Sequence, residues 1–274
     1  MSELYVARTG GDQLIDALLH NNYGNDDGFV SPSGLTIEFS DPSGWDFSTG
    51  NPEFWRYADR LVRPGGTVLD IGMECGRSSF FFAAYGMHVL GIDTDAEALQ
   101  IVDTMAARLK PTFDVDITTH VADALQEDLS TEAIDIVLLD HTLTHAPSKA
   151  GAFALIDKAY EAVKPGGHIW IRAVGKEDSY YEQLRSTALR GGEARIVDDN
   201  VIEHPCGCTG TPGIDPSLFF GQTDLLSYFL QRGATIVHSQ TLPETGRRNI
   251  MYGEDYNREM PVDVSGMLTV LAQK

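Results

Sequence analysis

The fold of this chain is decided by the stretch from Thr67 to Asp93, which reads TVLDIGMECGRSSFFFAAYGMHVLGID. Its first residues predict a short apolar strand, Val68 to Ile71, and the glycines at 72 and 76 predict a tight turn into a helix. A second apolar strand, His88 to Ile92, then ends on an acid. A β-α-β unit of this kind forms a crevice at the carboxyl ends of its strands, where a nucleotide-like ligand can bind.

The acids around the glycine turn indicate which nucleotide suits it. A dinucleotide-binding turn has the pattern Gly-x-Gly-x-x-Gly and presents bare backbone N–H groups to a pyrophosphate. Here the spacing is Gly-x-x-x-Gly, and carboxylates stand at Asp70 and Glu74. They would repel phosphate and attract a ligand with an ammonium and a sulfonium, such as S-adenosylmethionine. Asp93 ends the second strand, where it can accept hydrogen bonds from two ribose hydroxyls.

On these residues the chain resembles the class I S-adenosylmethionine-dependent methyltransferases, whose first motif is usually acid-x-Gly-x-Gly-x-Gly. Asp70, Gly72 and Gly76 keep that pattern, whereas Glu74 stands where the middle glycine is common. The resemblance implies an α/β fold with a seven-stranded, mostly parallel sheet and helices on both faces. Numbered along the chain, the strands of that sheet would have the order 3-2-1-4-5-7-6, with the last strand antiparallel. The implied cofactor is S-adenosylmethionine, and its product is S-adenosylhomocysteine.

Strands and helices alternate from residue 52 onward, as they do in a parallel sheet covered by helices. The predicted strands are 68–71, 88–92, 116–120, 133–139, 168–173, 234–240 and 267–272. The predicted helices are 52–61, 76–85, 95–109, 148–163, 177–190 and 223–231. A helix-like connection is expected after residue 120, a turn at 164–167, and mainly turns in 191–218.

Two segments outside this alternation are candidates for substrate binding. Residues 1–50 form an N-terminal extension to a methyltransferase domain at 51–274, and residues 175–222 form a substrate-side insertion within that domain. The extension contains a helical pattern at 12–20 and a short predicted strand at 35–39 in a Gly- and Pro-rich run. The extension is either a lid that closes over a ligand or a segment whose aromatic residues only pack against the core. Aromatic residues of both segments are candidate pocket walls or core residues: Trp45, Phe47, Tyr180, Tyr181, Phe219 and Phe220.

Two later acids extend the predicted cofactor site. Asp123 follows the third strand and precedes Ala124, and the resemblance implies a contact with the adenine amino group; the alternative is a helix N-cap. Asp140 follows the fourth strand, which in this fold ends beside the sulfonium methyl. The predicted cofactor-binding residues are therefore Asp70, Gly72, Met73, Gly76, Asp93, Thr94, Asp123, Ala124 and Asp140.

Catalysis of methyl transfer asks little of the protein, because holding the reactants in line supplies much of the acceleration. A base helps when the acceptor is a hydroxyl or an ammonium. His141 and His145 are the candidate bases, since imidazole accepts a proton near neutral pH. They lie four residues apart and would share a face of an α-helix. The alternative for each is a hydrogen-bonded structural histidine.

No metal site is predicted. A hard cation needs several oxygen ligands, and Arg172 to Gly175, after the fifth strand, supplies none to accompany Asp140. His204, Cys206 and Cys208 lack the second pair of ligands that a tetrahedral zinc site takes. Cys75, inside the glycine turn, is expected to pack rather than to act as a nucleophile.

Charge and composition narrow the partners. The net charge of −20 and the lack of clustered Lys and Arg argue against nucleic acid or an anionic membrane surface as a partner. No apolar run is long enough to span a membrane, we expect no targeting segment, and three cysteines suit a reducing cytoplasm. The sequence makes no prediction of the oligomeric state.

The expected function is therefore cytoplasmic methyl transfer to a small molecule at oxygen or nitrogen, with carbon as an alternative. Two other functions stay open. One is a regulatory protein that binds S-adenosylmethionine without transferring the methyl group, because Glu74 interrupts the glycine pattern. The other is a nicotinamide-dependent oxidoreductase, although the glycine pattern that such an enzyme needs is absent.

Overall fold

The structure is a computed structural model that describes residues 29–30, 36–37, 61–110, 114–130, 133–177, 179–206, 213–243 and 266–274. The strands are β1 (Phe29–Val30), β2 (Thr36–Ile37), β3 (Thr67–Ile71), β4 (His88–Asp93), β5 (Ile117–Val121), β6 (Ile134–Asp140), β7 (Val163–Val174), β8 (Arg195–Ile196), β9 (Val201–Cys206), β10 (Gly213–Leu218), β11 (Thr235–Pro243) and β12 (Gly266–Gln273). The helices are α1 (Arg77–Ala84), α2 (Ala96–Leu109), α3 (Lys149–Ala162), α4 (Ser179–Leu189) and α5 (Gln222–Gln231), and a 3₁₀ turn covers Thr142–His145.

The main sheet of the described residues has seven strands in the order β5-β4-β3-β6-β7-β12-β11. β3 pairs in parallel with β4 and with β6, and β4 pairs in parallel with β5. β12 is antiparallel to both β7 and β11. Counted along the chain, this is the order 3-2-1-4-5-7-6 with an antiparallel last strand, so the predicted topology is confirmed.

The chain divides into two compact units, and the division falls within β6. Unit 1 comprises Met1–Leu138 with Ala162–Lys164, and unit 2 comprises Leu139–Glu161 with Pro165–Lys274. In unit 1 the β3 and β4 strands are apolar because they lie inside a parallel sheet. The α1 helix is also buried, with three consecutive aromatic rings that are at most 2% exposed: Phe80, Phe81 and Phe82.

Unit 2 contains a polar link between α3 and α5. The Tyr228 hydroxyl donates to the Asp157 carboxylate over 2.8 Å, and Arg232 Nε donates to the same carboxylate over 2.7 Å. The Arg232 guanidinium also lies 3.5 Å from the centre of the Tyr228 ring. Burial, together with Asp157, raises the pKa of Tyr228 to about 12, so the phenol stays protonated and continues to donate.

Most predicted strands and helices of the described part are confirmed, with ends that shift by at most three residues, except that β7 begins five residues earlier than predicted. The helix-like connection after residue 120 is wrong, because residues 122–130 form turns. Asp123 and Asp128 accept hydrogen bonds from the backbone amides of Leu125 and Ser130, and such local bonds compete with a helix. The turn predicted at 164–167 instead lies within β7, where Gly166 and Gly167 exchange backbone hydrogen bonds with Lys274.

The turn-rich segment 191–218 contains more regular structure than predicted. Within the described part it holds a three-stranded antiparallel sheet in the order β10-β9-β8. Proline is rare inside strands because it lacks the donor N–H. Here Pro205 lies in β9 and Pro216 in β10, paired with Ile214 and Glu203, so the proline signal concealed both strands.

Some predictions lie outside the described residues. These are the helix at 12–20, the lid aromatics Trp45 and Phe47, and residues 52–60 of the first predicted helix, whose last residue, Leu61, is helical and buried. Of the N-terminal extension the structure describes β1 and β2, an antiparallel pair, and β2 falls inside the strand predicted at 35–39. Among the described residues no helix is long and apolar enough to cross a membrane.

Candidate functional site

The glycine turn of unit 1 has the backbone conformation that its sequence requires. Gly72 and Gly76 have φ angles of 74° and 77°, in the left-handed region that glycine adopts without strain. The Gly72 N–H donates to the carbonyl of Ile92 over 2.8 Å, which ties the turn to β4. A Cβ atom on Gly76 would lie 3.1 Å from a methyl carbon of Val102, so glycine also lets α1 begin close to α2.

Asp93 connects the glycine turn to the turn that follows β4. One oxygen of its carboxylate accepts the backbone N–H of Glu74 over 2.7 Å, and the other accepts the N–H of Asp95 over 2.9 Å. Each carboxylate oxygen has more than one acceptor site, so the two oxygens can still accept hydroxyl donors. Asp93 is half-buried and Thr94 beside it is exposed, which suits a ligand that binds from solvent.

The side chains of Asp70, before the turn, and Met73, within it, are both buried. The Asp70 carboxylate is 2% exposed and accepts the hydroxyl of Ser79 over 2.7 Å. The Asp70 carboxylate is therefore buried and already held by a hydrogen bond within unit 1. Met73 is 4% exposed, and a Cβ atom on Gly91 would lie 1.9 Å from its sulfur, so only glycine fits beneath it in β4.

Asp123 follows β5, the strand next to β4. Asp93 and Val121 are paired in these two parallel strands, and the N–H of Ala122 donates to the carbonyl of Asp93 over 2.9 Å. Asp123 is exposed and Ala124 is 6% exposed. The described residues that follow form turns, so Asp123 caps a turn and the alternative of a helix N-cap does not hold. The two predicted acids thus end neighbouring strands.

Charge at the turn acts on Cys75. Burial, followed by the nearby charges of Glu74, Asp95 and Asp93, raises the pKa of the Cys75 thiol to about 12. A thiol that stays protonated at neutral pH is a poor nucleophile. This agrees with the expectation that Cys75 packs within the turn.

In unit 2, Asp140 forms an ion pair that the sequence did not reveal. Arg172 Nε donates to one Asp140 oxygen over 2.6 Å, and Nη2 donates to the other over 3.2 Å. The two side chains are 13% and 6% exposed. Such a two-point contact is strong and directional, and it offsets the negative charge of Asp140 within unit 2.

The two candidate bases, His141 and His145, do not share a helix face. His141 has a φ of 63°, and its N–H donates to the carbonyl of Arg172 over 2.8 Å. His141 precedes the 3₁₀ turn formed by Thr142–His145, and His145 is the last residue of that turn. His141 is half-buried and His145 is exposed.

A family profile described as a methyltransferase domain matches residues 63–232. The chain belongs to this methyltransferase family. The match covers the glycine turn, Asp93, Asp123 and Asp140, and it confirms the resemblance to the class I S-adenosylmethionine-dependent superfamily.

Relatives of known name agree with this assignment. Phosphoethanolamine N-methyltransferase 2 of Caenorhabditis elegans is 32% identical over 148 residues, which are 54% of this chain and 31% of the relative. A ubiquinone biosynthesis O-methyltransferase of Paraburkholderia phytofirmans is 32% identical over 117 residues, 43% of this chain and 48% of the relative. The matches thus span less than half the length of these relatives. A solved S-adenosylmethionine-dependent methyltransferase structure from Methanosarcina mazei covers 79% of this chain and 96% of its own, with a TM-score of 0.59 and 17% identity, and is alike in fold.

Two of the aromatic residues predicted as candidate pocket walls or core residues belong to the core, and a third packs against it. Phe219 and Phe220 are fully buried, and the half-buried ring of Tyr181 packs 5.0 Å from that of Phe219. The side chain of Tyr180 lies outside the described part. Buried His204 contacts the Ser217 hydroxyl at 2.9 Å. Among the described residues no group of three or more His, Cys, Asp or Glu side chains could hold a metal ion.

Sequence reasoning missed Ser79 and Arg172. Ser79 carried a weak signal, because it is a hydroxyl residue directly before the apolar run Phe80 to Ala84, nine positions after Asp70. Arg172 carried a stronger signal, because it is a charged residue within the apolar part of β7. Arg172 is 5% exposed. A buried charge requires a partner, and that requirement points to an acid at the end of a neighbouring strand.

Proposed function

We propose that this chain transfers a methyl group from S-adenosylmethionine to an oxygen or nitrogen of a small-molecule acceptor, with carbon as an alternative acceptor atom. The observation that carries the proposal is the glycine turn held to Asp93 through the Glu74 amide, in a chain that belongs to the methyltransferase family. One relative is named a phosphoethanolamine N-methyltransferase and another a ubiquinone biosynthesis O-methyltransferase. These names support small amines and phenols as the acceptor classes to test.

The residues of unit 1 fit the proposed cofactor. Asp93 would accept from the ribose hydroxyls, and Asp123 beside Ala124 would accept from the adenine amino group. Glycine at position 76 lets α1 begin close to α2, directly after the turn, and Asp70 adds a buried negative charge. The proposed cofactor-binding residues of this unit are Asp70, Gly72, Met73, Gly76, Asp93, Thr94, Asp123 and Ala124. When bound, the cofactor supplies a methyl group already activated by its sulfonium.

In unit 2 we propose that Asp140 is a cofactor-binding residue and that its ion pair with Arg172 modifies its contribution. Because the guanidinium offsets its charge, Asp140 contributes a fixed orientation more than an attraction for a cation. His141 and His145 remain the proposed bases for an acceptor that must lose a proton. Since His141 is half-buried and His145 is exposed, we expect His141→Gln and His145→Gln to differ in their effect on turnover.

The remaining parts of the proposal follow from charge and chain organisation. The net charge of −20 supports a small molecule rather than nucleic acid as the substrate. The low cysteine content, three residues, supports a location in the cytoplasm. Residues 1–50 as a lid, residues 51–274 as the catalytic domain and 175–222 as the substrate-side insertion stay part of the proposal.

The test is transfer of a labelled methyl group from S-adenosylmethionine to a panel of small amines, phenols and thiols, with Asp93→Ala as the inactive control. We expect label in at least one product of the wild-type chain and none with the variant. Binding of S-adenosylhomocysteine without transfer to any acceptor would favour the regulatory alternative. Energy transfer from protein tryptophan to bound NADH would favour the oxidoreductase.

A further inference from the structure

Glu74 occupies a backbone conformation that its side chain makes costly. Among the described residues, Glu74 and His141 are the non-glycine residues with positive φ, at 49° and 63°. The left-handed region crowds a Cβ atom, so glycine would adopt it with less strain. Backbone strain of this kind persists where the surrounding structure enforces it, and it is frequent at functional sites.

The main-chain contact of Glu74 does not account for a glutamate. Its backbone N–H donates to Asp93 over 2.7 Å, and this bond enforces the conformation of the turn. Glycine would supply the same N–H without the strain. The side chain is exposed, so packing within the core does not account for it either. Compared with glycine, glutamate places a negative charge on an exposed side chain at this position.

We infer that Glu74 is a specificity-determining residue of the cofactor turn, whose carboxylate favours the cationic sulfonium donor over the neutral thioether product. This inference rests on the proposed function. Donor and product carry the same ammonium and carboxylate, and these two charges offset each other. The sulfonium charge is present in the donor alone. A carboxylate at the turn therefore strengthens donor binding and assists exchange of product for donor.

The charge of Glu74 also acts within the turn. After burial, its carboxylate is the largest contributor to the raised pKa of the Cys75 thiol. The field of the side chain thus reaches the residues between Gly72 and Gly76, the segment proposed to face the cofactor.

The test compares three probes by titration calorimetry at low ionic strength, where exposed charges are least screened. Sinefungin carries an ammonium where the donor has its sulfonium, S-adenosylhomocysteine has a neutral thioether, and methylthioadenosine lacks the amino-acid part. Glu74→Gln keeps the strain and removes the charge, Glu74→Gly removes both, and Glu74→Asp keeps the charge. Asp114→Asn is the matched control, because it removes an exposed acid at the opposite, amino-terminal end of β5.

We expect the preference for sinefungin over S-adenosylhomocysteine to fall about fivefold in Glu74→Gln and Glu74→Gly, the size typical of one exposed charge pair. Glu74→Asp and Asp114→Asn should keep the wild-type preference, and affinity for methylthioadenosine should stay constant. The melting temperature of Glu74→Gly should also exceed that of Glu74→Gln, since only the former relieves the strain.

An unchanged preference in a folded Glu74→Gln would overturn the inference. Equal loss of all three probes would do the same, because it would mean that Glu74 only shapes the turn. If Glu74→Gln does not fold, the ratio of the affinities for sinefungin and S-adenosylhomocysteine in Glu74→Gly tests the inference instead. A wild-type chain that binds none of the probes would instead refute the proposed function itself.

Discussion

The Asp93 carboxylate shapes two turns and, in the proposed function, also receives the ribose. Its oxygens accept the N–H groups of Glu74 and Asp95 over 2.7 and 2.9 Å. Replacing it by alanine leaves both amides to water, which typically costs about 1 kcal/mol for each hydrogen bond lost. We expect Asp93→Ala to lower the free energy of unfolding by about 1–2 kcal/mol in urea and to weaken S-adenosylhomocysteine binding by more than about tenfold.

A matched control separates these two effects. Asp198 in unit 2 also accepts two backbone N–H groups, those of Asn200 and Val201 over 2.7 and 2.9 Å, through one carboxylate oxygen, and it has no proposed ligand. Asp198→Ala should cost a similar amount of stability and leave binding unchanged. If Asp93→Ala binds S-adenosylhomocysteine as tightly as the wild-type chain, the assignment of Asp93 to the ribose is wrong.

Local spacing made some residues of the site predictable and left others hidden. Gly72, Gly76 and Asp93 follow from the positions of glycine and acid around two apolar strands, and the turn needs only neighbours in sequence. Ser79 and Arg172 act through side chains that meet after the helices and strands have packed. Their partners are nine and 32 positions away, so spacing alone does not identify them.

At the scale of elements, Asp135 joins the beginning of β3 to β6. It accepts the N–H of Thr67 over 2.9 Å and forms an ion pair with Lys164 at the start of β7. Burial alone would raise the pKa of the Asp135 carboxyl, but Lys164 and the Thr67 amide lower it below its ordinary value. A lowered folded-state pKa means that the ionised form stabilises the native state above about pH 4, and that this contribution is lost as the pH falls.

We therefore expect Asp135→Asn to be less stable than the wild-type chain by about 1 kcal/mol at pH 7. The difference should shrink as the pH falls from about 5 to about 3, because protonation of Asp135 removes the same interaction from the wild-type chain. Urea unfolding across this range measures it, with Asp114→Asn as the exposed control. A constant difference at all pH values would contradict the assigned role of the charge.

The prediction of strands and helices succeeded where the pattern of apolar residues determines the structure. It failed where hydrogen bonds determine the structure. The strands of the main sheet follow from apolar runs that any parallel sheet must bury. The small sheet of β8, β9 and β10 holds two prolines, and its paired residues lie at most 17 positions apart in the sequence. Apolar periodicity does not record such pairing. In the same way the turns at 122–130 depend on side-chain caps, which the strand and helix patterns leave out.

At the scale of the whole molecule, the net charge of −20 sets the response to salt. Like charges repel in the compact state, and salt screens that repulsion. We expect the melting temperature to rise by roughly 2–4 °C when sodium chloride is raised from about 0.01 M to about 0.15 M, the change that about 1 kcal/mol produces in a domain of this size. Potassium chloride should act equally, and a melting temperature that stays constant or falls would show that self-repulsion is unimportant.

The central claim is that the glycine turn and Asp93 form a site for an S-adenosyl ligand. Titration calorimetry of the folded wild-type chain with S-adenosylhomocysteine tests it most directly, because it requires no knowledge of the methyl acceptor. The claim predicts saturable binding of one ligand per chain, lost in Asp93→Ala and retained in Asp198→Ala. No heat with S-adenosylhomocysteine or sinefungin, from a chain that melts cooperatively, would contradict it.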